Sequence, residues 1–111
     1  MIASSSSADD LTSLARPTVR GGAANSQIYF VMTDRFANGD VGNDVVAGMR
    51  ETKIDRNFPG GRHGGDIRGM INNLDYLKEM GYTAVWPTPM LENDMPSYSY
   101  HGYSITNHYK V

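Results

Sequence analysis

Three segments in alternation constrain the fold most: "QIYFVM", "DIRGMINNLDYLKEMG" and "YTAVWPTP". The first, Gln27 to Met32, is short, aromatic and β-branched, and apolar in almost every position. Apolar side chains on both faces suit a strand buried in a parallel sheet better than a half-exposed antiparallel one. In the second, Ile67, Met70, Ile71, Leu74, Leu77 and Met80 draw one apolar stripe along a helix. Asp66 ahead of it is a good N-cap, since its carboxylate can accept from the free amides of the first turn. Gly81 stands where a left-handed residue closes a helix. Gly69 inside the helix costs about 1 kcal/mol relative to Ala, which points to a close approach by a neighbour. In the third segment Thr83, Val85 and Trp86 predict another short buried strand, ended by Pro87 and Pro89. Strand, helix and strand in that order imply parallel strands and a right-handed crossover, one βαβ unit of an α/β fold.

Two long loops leave this unit on the same side. Thr33 to Gly65 separates the first strand from the helix, far more chain than the few residues usual there. A second loop follows Pro89. Both start at the carboxyl ends of their strands, where parallel α/β folds build ligand sites.

Residues 1–26 read as a flexible tail or linker. "SSSSADD" is a solvated stretch and "GGAANS" a connector, and too little apolar surface follows Leu11 and Leu14 to hold a helix. The remaining residues, 27–111, carry the pattern. With a net charge of −2 the composition gives no electrostatic reason to bind nucleic acid. The absence of cysteine excludes disulfides, thiolate metal sites and cysteine nucleophiles. No apolar run approaches the roughly 18 residues of a membrane span. The first residues show neither the basic start nor the apolar core of a secretory signal.

Three constellations could carry chemistry. "DRFANGDVGND" puts the oxygen donors Asp34, Asn38, Asp40, Asn43 and Asp44 in one Gly-containing loop. Hard oxygens in a tight loop suit calcium, and the spacing is not that of an EF-hand; the same residues also suit an ordinary turn. "GGRHGGD", Gly60 to Asp66, can approach another group closely, but it lacks the order of a phosphate-binding glycine loop. Asp66 there is a helix cap, a metal ligand, or both through different oxygens. "YSYHGYSITNHY", Tyr98 to Tyr109, offers four tyrosines and two histidines. Sugars stack their C–H faces on such rings and present hydroxyls to polar neighbours; a packed loop with hydrogen-bonded tyrosines is the alternative. The carboxylates of Glu51, Asp55, Glu79, Glu92 and Asp94 lie in no context that argues for a raised pKa.

Taken together and in order, "QIYFVMTDRFANGDVGND", "HGGDIRGMINNLDYLKEMGYTAVWPTP" and "YHGYSITNHY" resemble the start of the catalytic barrel of the α-amylase family, glycoside hydrolase family 13. The likeness is closest to the neopullulanase, cyclomaltodextrinase and periplasmic amylase members, and it covers about residues 27–111. It implies the N-terminal part of a (β/α)8 TIM barrel, incomplete in this chain. It also implies a structural calcium ion on Asn38, Asp40, Asn43, Asp44, the carbonyl of Gly64 and the carboxylate of Asp66. The substrate-binding positions it implies are Tyr103, stacked on the glucose unit whose bond is cut, and His101 on that unit's polar edge. Family members often carry Asp where this chain has Asn107.

The family's reaction is retaining glycoside hydrolysis, with one carboxylate as nucleophile and a second as acid and then base. The resemblance places the catalytic trio on later strands than any in this sequence. The chain alone is therefore expected to be a fragment, inactive in hydrolysis and weakly stable, because a short unclosed piece buries too little apolar surface. Its parent is expected to act on α-glucans such as starch, maltodextrin, cyclodextrin or pullulan, in the periplasm or outside the cell. Two other readings stay open: a non-catalytic calcium- or sugar-binding remnant on the same scaffold, and a different barrel enzyme that shares only the βαβ layout.

Overall fold

The computed structural model describes residues 25–111. The tail assigned to residues 1–26 falls almost wholly outside them. Strand β1 is Ile28–Val31, and helix α1, Thr33–Phe36, follows it directly. A 3-10 turn at Val41–Asn43 sits in the long first loop. Two short helices, α2 (Ile67–Asn72) and α3 (Leu74–Glu79), lead to strand β2, Ala84–Pro87.

The two strands are parallel and directly paired, in register from Ile28 with Ala84 to Val31 with Pro87. The amide of Thr88 extends the ladder by donating to the Val31 carbonyl at 2.8 Å. At the other end the Gln27 amide donates to Oγ1 of Thr83 at 3.0 Å. This is the expected βαβ unit, with β1 one residue shorter at each end than Gln27 to Met32 and β2 starting after Thr83 and taking in Pro87. Pro87 closes the register rather than preceding its end, because the pairing here uses the amide of Thr88 and needs none from the proline.

The expected single helix is broken in two. Asn73 leaves helical geometry at φ −111°, ψ 9°. Its Nδ2 donates to the Gly69 carbonyl at 2.8 Å, and its carbonyl accepts from the Leu77 amide at 3.1 Å, opening the next helix. An asparagine side chain that bonds to nearby backbone competes with the helix ladder, a local effect that the apolar stripe does not reveal. Gly81 closes the second helix at φ +97°, and the Tyr82 amide reaches back to the Leu77 carbonyl at 3.1 Å, as in a left-handed cap. Gly69 meets the close neighbour its cost implied: a Cβ there would lie 1.9 Å from the Ala37 carbonyl oxygen.

Val31, Met70 and Leu77 form the buried apolar core. The strands were expected to be buried, but Phe30 is 57% exposed and Trp86 63%. Ile67, Ile71, Leu74 and Met80 of the helical stripe are also exposed. The side chains are apolar on both faces, as the sequence indicates; among the described residues, only one strand partner and a short helix pair are present to cover them. Phe30 and Trp86, cross-strand neighbours, meet edge to face at 6.3 Å.

Candidate functional site

Asp66 is the hub of the site at the carboxyl end of the sheet. Its Oδ1 accepts from the amides of Gly69 at 2.6 Å and Gly39 at 3.0 Å. Its Oδ2 accepts from the Asp40 amide at 2.9 Å and from Nδ2 of Asn43 at 3.0 Å. One oxygen thus caps α2 while both hold the distant 38–44 loop against the helix start. Burial pushes the Asp66 pKa up, but the hydrogen bonds from Gly69, Gly39, Asn43 and Asp40 outweigh it and hold the carboxyl below its ordinary value.

Asn38, Asp44 and Gly64 gather beside this hub. Nδ2 of Asn38 donates to Oδ1 of Asp44 at 2.7 Å. Oδ1 of Asn38 is buried with no hydrogen-bond partner. Gly64 has φ +90°, and a Cβ added to it would come within 2.8 Å of Asn38 Nδ2 and 2.9 Å of Asp44 Oδ1. Asp40 is more exposed, and its Oδ1 accepts from the Gly42 amide at 2.9 Å. The structure therefore brings the six sequence-assigned metal positions into one neighbourhood. Among the described residues no three His, Cys, Asp or Glu side chains are grouped to hold a metal ion. The donor set is instead amide and carbonyl oxygens with a few carboxylates, including one buried oxygen without a partner. That chemistry fits calcium rather than zinc.

Sequence reasoning took Asp34 as an oxygen donor of the loop, not as an anchor for the 63–64 backbone, and it missed Arg35 altogether. The buried Asp34 carboxylate accepts from the His63 amide at 3.0 and 2.9 Å and from the Gly64 amide at 3.2 Å. Arg35 bonds to Asp34, to the Gly61 carbonyl at 2.7 Å and to the Pro59 carbonyl. Its guanidinium carbon lies 4.0 Å from the centroid of the Tyr100 ring. No spacing rule joins position 35 to position 100; the sequence signal available was an Asp-Arg pair immediately after a strand. Glu51 likewise has a use that its sequence context did not show, accepting from the Ser99 amide at 3.1 Å and from the Ser99 hydroxyl.

His101 and Tyr103 share one tight turn. Nδ1 of His101 accepts from the Tyr103 amide at 2.9 Å, and the two rings lie 5.9 Å apart at 35°. Tyr103 is 61% exposed. Between them Gly102 has φ +82°, and a Cβ there would lie 2.0 Å from the Pro89 carbonyl oxygen, so the turn sits against the exit of β2. Oδ1 of Asn107 accepts from the Tyr109 amide at 2.8 Å, so the asparagine serves as an acceptor within its own turn. Of the other rings in this stretch, Tyr98 packs on Phe58 and Tyr109 is exposed. A cleft of about 400 Å3 opens between the two long loops, lined among others by Asn43, Asp66, Met49, Thr88, Asn93 and Tyr100. His101 and Tyr103 stand outside its lining.

The model of the alpha amylase catalytic domain matches residues 27–111. A beta/alpha-amylase of Paenibacillus polymyxa is 44% identical over 103 residues, which is 92% of this chain and 8% of that protein. The periplasmic alpha-amylase of Escherichia coli K12 is 41% identical over 90 residues, 71% of this chain and 13% of that protein. The crystal structure of an Anoxybacillus alpha-amylase superposes with a TM-score of 0.67 at 46% identity, over 78% of this chain and 17% of that one. The chain thus spans about a tenth of the length of the curated relatives it matches.

Proposed function

The chain belongs to the alpha-amylase family, glycoside hydrolase family 13, and from that premise we propose that it supplies the first βαβ unit of a (β/α)8 barrel acting on α-glucans. Relatives named as amylases and a neopullulanase support the substrate class. The observation that carries the reading is the pairing of His101 with an exposed Tyr103 on one turn at the carboxyl end of β2. The Tyr103 ring offers a flat face for the C–H side of a glucose unit. Nδ1 of His101 is used as an acceptor, so in the neutral imidazole Nε2 carries the proton and donates to a sugar hydroxyl. Retaining hydrolysis needs a nucleophilic carboxylate and an acid/base carboxylate; no residue of this chain is assigned either part, and its role is to bind and orient.

In the same proposal a calcium ion is held by Asn38, Asp40, Asn43, Asp44, the Gly64 carbonyl and Asp66. When bound, it supplies no step of the reaction and ties the long first loop to the start of α2. The partnerless Oδ1 of Asn38 supports this assignment.

Isothermal titration of maltoheptaose into the full chain tests the sugar reading. Heat of binding without release of reducing ends is expected, and Tyr103→Ala should remove the heat while leaving the circular dichroism unchanged. Release of reducing ends by the chain alone, or Tyr103→Ala binding as wild type does, overturns the assignment.

A further inference from the structure

We propose that Arg35 is a positioning residue for the His101–Tyr103 turn, acting through the ring of Tyr100. The proposal rests on the sugar-binding reading of that turn. Arg35 lies in α1, just beyond β1, while the turn lies in the loop after β2. The edges of its guanidinium are fixed by Asp34 and by the Gly61 and Pro59 carbonyls. Asp34 is itself buried and held by the amides of His63 and Gly64. The plate so anchored leaves its flat face to Tyr100, 4.0 Å away. Tyr100 meets the His101 ring edge to face at 5.2 Å and 72°, and His101 accepts from the Tyr103 amide. A continuous line of contacts therefore runs from the first strand's exit to the exposed ring. Only an arginine does both jobs, because lysine has neither the fork of donors nor a planar face to stack. Glu51 holds Ser99 and so fixes where the loop enters, not how the rings at 100, 101 and 103 are turned.

The test uses the isotope-labelled full chain, with maltoheptaose as the probe and the His101 ring and Tyr103 amide as NMR reporters. Arg35→Lys and Tyr100→Leu should move both reporters and weaken maltoheptaose binding on the order of tenfold. Tyr100→Phe keeps the ring face and should match wild type in both readouts. Unmoved reporters in Arg35→Lys and Tyr100→Leu overturn the proposal, as does Tyr100→Phe proving as damaging as Tyr100→Leu. Collapse of the whole amide spectrum in Tyr100→Leu also overturns it, since the contact would then serve the fold and not the turn. If wild type shows no response to maltoheptaose, the sugar reading falls; the two reporters still decide whether Arg35 sets the turn.

Discussion

The loops at the carboxyl end of the sheet and the body of the sheet are held in opposite ways. In the loops, distant segments are tied by polar groups that find partners within the described residues: Asp66 takes four hydrogen bonds and Asp34 holds the 63–64 backbone. In the sheet, one paired strand and a broken helix leave Phe30, Trp86, Ile71 and Leu74 exposed. The loops have two exceptions, Oδ1 of Asn38 and the side chain of Asn93, buried on the wall of the cleft with neither polar atom paired. Apart from these side chains, the loop region is specified by bonds it makes to itself. The sheet region is written for neighbours that the described residues do not include. Local polar networks can be completed in a small piece of chain, whereas apolar burial scales with how much chain is gathered around it.

The severest way to break this contrast is to separate the loop from the helix. A Cβ at Gly69 would overlap the Ala37 carbonyl oxygen at 1.9 Å and its carbon at 2.5 Å, both backbone atoms that cannot swing aside. Gly69→Ala is expected to cost about 3 kcal/mol, well beyond its gain in helix propensity. Urea denaturation checks this; a neutral or stabilising effect would mean that α2 and the 37–39 backbone are not in contact.

The next effect concerns the buried Oδ1 of Asn38, which has no partner among the described residues. Calcium at about a hundredfold over its Kd should stabilise by about 2.7 kcal/mol, on the order of 10 °C in Tm for a domain of this size. Asn38→Ala should lose most of that increment. In chelator it should change Tm little, because there it gives up only the bond from Nδ2 to Asp44. Thermal melts with and without calcium separate these cases, and an equal loss in both buffers would sink the metal role.

Removing the hub itself in calcium-free buffer comes third. Asp66→Ala deletes a helix cap and the ties to Gly39, Asp40 and Asn43, for an expected loss of about 2 kcal/mol. Asp66→Asn should recover only part of it, since an amide would turn a donor toward donors on one side. The folded-state pKa of Asp66 is depressed. Its contribution is therefore fully present above the unfolded value of about 3.9 and is lost as pH falls through the folded value. The stability gap between wild type and Asp66→Asn should be constant near neutrality and close in acid. A gap that widened toward low pH would contradict the assignment.

These two regions also differ in how far they could be read from sequence. The βαβ order, the Asp66 cap, the Gly81 closure and the tight packing at Gly69 followed from periodicity and from what glycine and aspartate do to backbone. The helix break was hidden because Asn73 acts through its side chain on Gly69, not through hydrophobic pattern. The convergence of the 38–44 loop on Gly64 and Asp66 rested on family resemblance, since residues more than twenty positions apart carry no spacing rule. Arg35 over Tyr100 was legible by neither route. A stacked cation and ring leave no periodic trace, and their meeting depends on how two loops fold over the sheet. Exposure of the strands was misjudged because sequence records what a side chain is suited to, whereas burial depends on what surrounds it.

The smallest expected effect is also the sharpest test of the sheet's side of the comparison. Trp86 is apolar, large and mostly exposed, and its main described partner is Phe30 across the ladder. Trp86→Ser in this chain should forfeit that cross-strand pair and little else, about 1 kcal/mol or less. A fully buried tryptophan would cost about 3–5 kcal/mol on truncation. Measured by urea denaturation at several chain concentrations, a small and concentration-independent loss places Trp86 on an uncovered face. A large loss that grows with concentration and shrinks on dilution would mean that a second copy covers it, and a large loss at every concentration would mean that other residues of the chain do. Either result would remove the contrast drawn here, because the sheet would then be finished by burial just as the loops are finished by hydrogen bonds.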